Sequence, residues 1–350
     1  MISKTSVLYL FFIIAVGVVL SSCGGGDTSS SQEGGDNAQS NSGAIAGSSQ
    51  GAVWAILPQF PPREQVISRR LLGLNDITMV DENTGWVVGT DGAIGHTSDG
   101  GDAFVLQPTG TAINLTAVSF VDAMTGWAVG TAGTVLHTTD GGDTWEKLAG
   151  IKGALLVEGV QFTDANAGWV VADFGGIYHT TDGGNIWDKQ ESGTLEDLLD
   201  IVSLDGVFVW TVGFGGVVLH TSDGGATWNQ QVSGTEVQLN SVWFLDNSVG
   251  MVVGSKGTIL LTSDGGTTWS SQDSGTVEDL LGVFILDAQN GWAVGTKNLL
   301  IHTSDGGATW TEQETATSSD ALRGVYMNSL QRGLAAGSGG HIWQYRVAAP

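Results

Sequence analysis

Short apolar runs separated by glycine-rich turns recur along most of this chain. In the unit between Gly234 and Trp269, apolar runs fall at 239–245, 250–254 and 258–261, and Trp269 opens a fourth run. Four short β-rich runs divided by turn residues predict one four-stranded antiparallel sheet. The second run is apolar without alternation, which predicts a strand that is buried on both faces.

This unit is repeated at a fixed period. A turn of the form Thr-Ser/Thr-Asp-Gly-Gly, followed three residues later by an aromatic, occurs six times, with its aspartates spaced by 41 or 42 residues. A period of about 40–45 residues is typical of propellers, solenoids and arrays. The repeated aspartates are Asp99, Asp140, Asp182, Asp223, Asp264 and Asp305.

The pattern of the second strand occurs seven times, once more than the aspartate turn. The chain ends after a third strand around Trp343 that has no fourth, and an isolated apolar run around Trp54 has no strands before it. We therefore expect an all-β, seven-bladed β-propeller over 53–346, with four-stranded antiparallel blades and a tail at 347–350. The N-terminal strand is expected to join the C-terminal blade and close the ring, which removes exposed sheet edges.

The first 22 residues have the pattern of a processing segment. Lys4 precedes an apolar run at 7–20, which ends in Leu-Ser-Ser and then Cys23. This looks like a bacterial lipoprotein signal peptide, with Cys23 as the lipidated residue; a plain secretory signal and an uncleaved anchor are the alternatives. Residues 23–52 are rich in Gly, Ser, Asn and Gln and predict a flexible tether. The expected location is the cell envelope, at an outer membrane facing the periplasm or the cell surface.

Charge and composition exclude several classes of function. The formal net charge of −24 repels nucleic acid phosphates and anionic lipids, so we expect no nucleic acid partner and membrane contact through the lipid anchor only. The single cysteine excludes an internal disulfide and a metal site with several cysteine ligands. We expect no cofactor and a monomer.

The repeated polar residues have a structural interpretation. An Asp at a hairpin turn accepts backbone N–H groups, and the glycines after it supply positive φ angles. Five histidines each precede the threonine of this turn, and equivalent positions on different blades lie too far apart to share a metal ion. We therefore expect no metal site at His96, His137, His179, His220 and His302.

The Ser/Thr-x-Asp-x-Gly-x-Thr-Trp turn resembles the Asp-box, or BNR, repeat of sialidases, sortilins and some glycoside hydrolases. Its pairing with Gly-Trp-x-Val-Gly strands is most similar to the photosystem II assembly and stability factor family, Ycf48 in cyanobacteria and HCF136 in plants. That resemblance covers 53–346. It implies a non-enzymatic scaffold that binds partner proteins while a membrane complex is assembled.

Candidate binding residues lie where the repeat lapses. In the turn between the second and third strands, Phe174 and Phe214 predict an apolar contact, with Lys256 and Lys297 beside it. The alternative is that these are ordinary loop residues. The photosynthetic members of the family have an arginine-lined patch. Closure of the ring would bring together three of the six arginines of this chain: Arg69, Arg70 and Arg323. This group is either a remnant of such a patch or charge that only solvates the surface locally.

An enzyme is the weaker interpretation. A sialidase needs three converging arginines and a Tyr–Glu pair, and a two-propeller glycosidase needs carboxylates in a cleft between domains. The pairs Glu196–Asp197 and Glu278–Asp279 repeat at equivalent positions, so solvated turns explain them better. We expect no catalytic residue, and a lipid-anchored scaffold that binds proteins. A carbohydrate-binding or glycan-hydrolysing Asp-box propeller is the alternative.

Overall fold

The computed structural model describes residues 53–56, 73–315 and 318–346. Within these ranges the chain forms seven four-stranded antiparallel sheets and no α-helix. The predicted signal segment, Cys23, the tether, Arg69, Arg70 and the tail at 347–350 lie outside the described residues. None of the described residues belongs to a helix that is long and apolar enough to cross a membrane.

Each sheet is one blade, and in six of the seven blades the strands follow each other in chain order from the axis outwards. The first strands are β2 (Leu74–Met79), β6 (Leu115–Phe120), β10 (Val157–Phe162), β14 (Leu198–Ser203), β18 (Leu239–Phe244), β22 (Leu280–Ile285) and β26 (Leu322–Ser329). The second strands are β3 (Gly85–Gly89), β7 (Gly126–Gly130), β11 (Gly168–Ala172), β15 (Val209–Gly213), β19 (Gly250–Gly254), β23 (Gly291–Gly295) and β27 (Arg332–Gly337).

The third and fourth strands complete the blades. The third strands are β4 (Ile94–Thr97), β8 (Thr134–Thr138), β12 (Gly176–Thr180), β16 (Val218–Thr221), β20 (Thr258–Thr262), β24 (Leu300–Thr303) and β28 (Ile342–Arg346). The fourth strands are β5 (Val105–Gln107), β9 (Glu146–Lys147), β13 (Asp188–Gln190), β17 (Asn229–Gln230), β21 (Ser270–Gln272), β25 (Thr311–Glu312) and, for blade 7, β1 (Val53–Ile56). Between second and third strands, four blades have a single 3-10 turn: Thr90–Gly92, Phe214–Gly216, Ser255–Gly257 and Thr296–Asn298.

The first strands pack against each other in sequence, and β26 packs against β2, so the seven blades close into a ring. The seventh sheet has the order β1-β28-β27-β26, with Trp54 opposite Tyr345. The seven-bladed propeller and its closure by the N-terminal strand are thus confirmed. One boundary was wrong: Trp269 precedes the fourth strand of its blade, β21, rather than opening it.

The hydrophobic core lies between neighbouring blades. The second strands of blades 1–6 are buried along their full length, as their unbroken apolar runs predict. At the interface of blades 2 and 3, the ring of Trp127 lies between His137, at 4.8 Å between centroids, and Phe162, at 3.5 Å. The Nε1 group of Trp127 donates to the carbonyl oxygen of Gly183 on the next blade at 2.9 Å. Each such stack therefore fixes one blade to the next.

Candidate functional site

The ring has two faces with different loops, because each blade runs back and forth across it. We call the first the loop face: it carries the turns between second and third strands and the loops that lead from one blade into the next. The second, the Asp-box face, carries the Asp-Gly-Gly turns and the turns between first and second strands. These two sets of turns touch, as when the Gly141 N–H donates to the Met124 carbonyl oxygen at 2.8 Å.

On the Asp-box face, the repeated aspartates are saturated by their own turns. Asp140 accepts bonds from the Thr138 hydroxyl at 2.8 Å, and from the Thr144 N–H at 2.9 Å and hydroxyl at 2.6 Å. The Thr144 hydroxyl is the main reason that the pKa of Asp140 falls to about 2. The pKa values of Asp99, Asp182, Asp223, Asp264 and Asp305 are also lowered.

The buried centre of each Asp-box turn is a threonine. The Thr138 hydroxyl donates to Asp140 and also accepts the Gly142 N–H at 2.9 Å, and Thr138 is 2 % exposed. The same bonds recur in the other five copies, at Thr97, Thr180, Thr221, Thr262 and Thr303. The sequence pattern predicted this role for the aspartate alone, although the threonine is repeated in all six copies.

The repeated histidines are packed against tryptophans. His96, His137, His179, His220 and His302 each stack on the second-strand tryptophan of their own blade, with centroids 4.3–5.0 Å apart. Burial lowers the pKa of all five. Neutral rings stacked in separate blade interfaces are suited to packing. Among the described residues, no group of three or more His, Cys, Asp or Glu side chains could hold a metal ion.

On the loop face, a β-bulge near the start of every first strand takes its second residue out of the ladder with the second strand. These residues lie at the loop-face end of the strands that line the channel, which we call the channel mouth. Three of these residues hold neighbouring blades together: the Asn75 amide donates to the Leu115 carbonyl oxygen, the Thr116 hydroxyl to that of Val157, and the Asn240 amide to that of Leu280. The full set is Asn75, Thr116, Glu158, Leu199, Asn240, Leu281 and Arg323.

Glu158 is the acidic member of this set. Burial is the main reason that its pKa rises to about 7; the nearby carboxylates of Asp197 and Asp173 raise it further, and Arg323 opposes them. Arg323 is exposed at the mouth. Of the predicted arginine group, only Arg323 lies in the described part of the chain. The charged groups near it there are carboxylates, among them Glu158.

Two more carboxyl groups face the channel, a cavity of about 260 Å³. Asp76 of blade 1 accepts the Val118 N–H of blade 2 at 2.9 Å, and Asp200 of blade 4 accepts the Val242 N–H and the Ser241 hydroxyl of blade 5. Burial raises the pKa of Asp76 to about 7 and that of Asp200 to about 6. Each of these side chains bridges two blades, so sequence analysis missed both an acidic channel and a set of blade clamps.

The predicted apolar pair of the loop face is exposed, but its two members are not equivalent. Phe174 occupies the left-handed position of its turn, with φ +54°, whereas in blade 4 that position is Gly215 and Phe214 comes one residue earlier. No ring contact between the two side chains is found among the described aromatics, and their role in contacting a partner stays a prediction. Phe174 is 61 % exposed and Phe214 39 % exposed.

Two leucines that sequence analysis missed extend this surface. Leu155 is 70 % exposed, and its N–H donates to Asp173 at 3.1 Å. Leu195 is 82 % exposed and lies two residues before Asp197, whose carboxylate accepts the Phe174 N–H at 2.8 Å. The Phe214 N–H also donates to the Asp197 carbonyl oxygen, so hydrogen bonds join the turns on blades 3 and 4 that carry these side chains. We call this set the apolar patch: Leu155, Phe174, Leu195 and Phe214.

Acidic residues surround the apolar patch. Asp173 and Asp197 hold its turns in place, and Glu196 lies over the blade 4 turn beside Gly215. Asp197 and Asp279 of the predicted Glu–Asp pairs both accept the N–H of a left-handed turn residue on the preceding blade. These aspartates therefore have a structural role, in line with the turn interpretation.

The two predicted lysines lie on blades 5 and 6. Both are left-handed turn residues, with φ +58° at Lys256 and +56° at Lys297. The Lys297 Nζ pairs with Glu278 at 2.7 Å, and the Lys256 N–H donates to Asp279. Asn298 has φ +61°, as expected for an asparagine in a position where other blades have glycine.

The comparisons with known proteins agree with this architecture. The model of the family described as photosynthesis system II assembly factor YCF48 matches residues 71–153, 150–234 and 228–324. The chain belongs to the YCF48 family. No protein with a curated description matches its sequence.

Solved structures share the fold at low identity. "YCF48 bound to D1 peptide" is 20 % identical with a TM-score of 0.69, covering 84 % of this chain and 94 % of that one. YCF48 from Cyanidioschyzon merolae is 20 % identical with a TM-score of 0.68, covering 84 % and 99 %. The Niastella koreensis GH74 enzyme is 16 % identical with a TM-score of 0.59, covering 80 % of this chain and 44 % of that enzyme. At these identities the likeness shows the fold alone.

Proposed function

We propose that this YCF48 family member is a non-enzymatic scaffold that binds a polypeptide segment of a partner protein on its loop face. The observation that carries the proposal is the apolar patch. Its side chains are 39–82 % exposed, and hydrogen bonds join the turns that carry them, where the repeat lapses. Exposed apolar side chains grouped in this way are typical of protein interaction sites.

The conformation of Phe174 supports the same conclusion. A bulky residue in a left-handed turn costs about 1–2 kcal/mol relative to glycine, which the next blade uses at this position. Backbone strain of this kind clusters at functional sites. A phenylalanine held there and exposed to solvent adds little to the fold and is suited to contact with a partner.

The charge around the patch indicates the chemistry of that partner. Asp173, Glu196 and Asp197 border the apolar side chains, and Glu158 lies at the channel mouth beside them. Complementary charges select partners and speed association. The expected ligand is therefore a segment with apolar residues next to Lys or Arg. A relative has been solved with a D1 peptide bound, and we propose a subunit of a membrane complex as the partner class here.

The proposal includes attachment to the cell envelope through Cys23, which the sequence pattern of 1–22 supports. The tether would leave the propeller free to reach a membrane protein. Replacing Cys23 with Ser should release the protein from membranes and abolish incorporation of a fatty acid label. Membrane attachment that survives this change would overturn the lipid anchor, while leaving the loop-face proposal in place.

The binding proposal is tested by cross-linking and pull-down from solubilised membranes with the wild type and the variant Leu155→Ser/Leu195→Ser. The wild type should retrieve a specific protein, and the variant should lose it. Ile186→Ser is the matched control, since Ile186 is 65 % exposed on the Asp-box face. Retention of the partner by the double variant, or equal loss in the control, would contradict the proposal.

The glycan-hydrolysing alternative has less support. The GH74 enzyme shares the propeller, but this chain covers 44 % of its length. The repeated aspartates and histidines are engaged in turns and stacks, and the channel carboxyls clamp neighbouring blades. Hydrolysis of a glucan or sialoside substrate by the purified protein would revive this alternative.

A further inference from the structure

The interface between blades 5 and 6 differs from three other interfaces of the ring that share an aromatic stack. Between blades 1 and 2, 2 and 3, and 4 and 5, a second-strand tryptophan lies between a histidine of its own blade and a phenylalanine that ends a first strand of the next. At blades 5 and 6 the three equivalent positions are all aliphatic. They are Met251, Leu261 and Ile285.

The hydrogen-bond acceptor of the tryptophan remains at this interface. In the three aromatic interfaces, the indole N–H donates to the carbonyl oxygen of the first glycine of the next Asp-box turn, at 2.9–3.1 Å. The equivalent glycine here is Gly306. Its carbonyl oxygen accepts no hydrogen bond from the described residues, and Gly306 is exposed.

Aliphatic side chains at these positions leave a cavity of about 300 Å³ on the Asp-box face. Met251, Leu261 and Ile285 form its apolar wall, and Gly306 lines it. There is room beside Gly291 as well: a Cβ there would meet its nearest atoms at 3.5 Å, whereas one at Gly250 would meet Phe244 at 2.5 Å. The volume lies at the lower end of the range for ligand pockets, about 300–1,000 Å³.

Blade 7 shows that the propeller can replace this tryptophan by other packing. There Leu334 stands in the tryptophan position and Gln344 in that of the histidine. Gln344 donates to Asp102 at 2.8 Å, and Leu334 packs with Met79 and Phe104 of blade 1. At blades 5 and 6, Met251 and Ile285 are also packed in a cluster, with Leu261 and Trp310 against it, and the cavity is the space left beside this cluster.

We propose that the cavity between blades 5 and 6 receives the side chain of a tryptophan from a partner polypeptide. The indole would lie against Met251, Leu261 and Ile285, and its N–H would donate to the Gly306 carbonyl oxygen, as Trp86, Trp127 and Trp210 do to the equivalent glycines of their neighbouring blades. All 13 tryptophans of the chain lie in the described part, within the propeller. The indole therefore comes from another protein. The site lies on the opposite face to the apolar patch and is independent of it.

A methyl NMR titration tests this site directly. The protein is labelled with ¹³C at the methionine methyl groups, and N-acetyl-tryptophanamide is added, with N-acetyl-leucinamide as the control probe. The Met251 methyl signal should move upfield under the ring current of the indole, while those of Met79, Met124 and Met327 stay in place. No movement of the Met251 signal at millimolar probe, or an equal movement with the leucine probe, would overturn the proposal.

Two variants fill the cavity from different sides. Met251→Trp restores the indole that other blades have and should weaken binding of a tryptophan-containing peptide by about tenfold or more in calorimetry. Ile285→Phe keeps the Met251 reporter and should abolish its upfield movement, so it serves if Met251→Trp does not fold. Binding that survives in a folded filled variant would overturn the proposal. Phe174→Gly, on the loop face, should leave the Met251 response unchanged, which separates this site from the proposed loop-face function.

Discussion

The two faces of this propeller follow different rules. On the Asp-box face, six turns repeat the same bonds between threonine, aspartate and glycine, with the same distances to within a few tenths of an ångström. On the loop face, the left-handed turn position changes its chemistry from blade to blade, through Asp91, Ala132, Phe174, Lys256 and Lys297. Residues that repeat in every blade therefore hold the ring together. Candidate residues for binding a partner are those that change from one blade to the next.

The cavity of blades 5 and 6 refines this rule. It lies on the Asp-box face, and it arises because one blade departs from the aromatic pattern of its neighbours at Met251 and Leu261. The departure from the repeat, rather than the face, therefore marks a candidate site. Substitutions at repeated residues should therefore change mainly the stability of the ring, and substitutions at non-repeated residues mainly the binding of a partner.

The largest effect is expected at the aromatic stacks. Trp127→Ala removes a fully buried indole, its two ring neighbours and its bond to Gly183, and should lower the free energy of unfolding by about 3–5 kcal/mol. Met251→Ala at the equivalent position, beside a cavity, should cost only about 2 kcal/mol. Urea denaturation of both variants measures the difference. Equal losses would mean that the aromatic stack adds nothing to the aliphatic packing.

The threonine of the Asp-box turn comes next. Thr138→Val keeps the shape of the side chain but leaves the buried Gly142 N–H without its acceptor, so a loss of about 1–3 kcal/mol is expected in urea denaturation. Thr131→Val on the loop face is the control, because its hydroxyl makes only a 3.5 Å contact with the Asn114 carbonyl oxygen. That control should change stability by less than about 0.5 kcal/mol. A larger effect at Thr131 would break the contrast between the faces.

The channel carboxyls should make stability depend on pH. The pKa of Asp76 is raised to about 7 in the folded protein, so the folded state binds more protons than the unfolded state between about pH 4 and pH 7. Its contribution is present below pH 4 and is lost as the pH rises through 7. Asp76→Asn should therefore gain about 1–2 kcal/mol relative to the wild type between pH 5 and pH 8, allowing for water in the channel.

Denaturation of the wild type and Asp76→Asn at several pH values measures this gain. Glu191→Gln, at an exposed position after β13, is the matched control and should run parallel to the wild type. The stacked histidines act in the opposite direction, since their lowered pKa values remove stability as the pH falls below about 6.5. They are unchanged in the variant and cancel in the comparison. A difference between Asp76→Asn and wild type that does not vary with pH would contradict the assignment.

The ring was predictable from the sequence because its evidence is repeated. Seven second strands, six Asp-box turns and one unpaired strand around Trp54 can be satisfied together only by closing the ring, and Trp54 donates to Gln313 as Trp145 does to Gln107. Each copy of the motif supports the same strand assignment in the other blades, so one irregular blade does not change the predicted fold.

The candidate site was less predictable because its positions depend on local geometry. A β-bulge shifts the register of each first strand, so simple alternation does not place Glu158 at the channel mouth. The blade 4 turn has its glycines one position earlier than a simple alignment expects, which separates Phe214 from Phe174. Leu155 and Leu195 are exposed because their loops leave them no neighbouring blade to pack against, and composition alone does not indicate this.

The smallest change in stability, with the opposite sign, is expected at Phe174. Phe174→Gly relieves a left-handed phenylalanine with φ +54°, and blade 4 has Gly215 in the same position with φ +65°. The variant should be about 0.5–1 kcal/mol more stable than the wild type, since the strain relieved exceeds the entropy that glycine adds to the unfolded chain. If the loop face binds a partner, the same variant should also lose the partner in the pull-down.

The control is Lys256→Gly, which relieves the same strain, with φ +58°, away from the apolar patch. This variant should gain stability while retaining the partner. A gain in stability without loss of binding at Phe174 would mean that this residue is a tolerated loop residue, and recognition would then have to lie elsewhere on the ring.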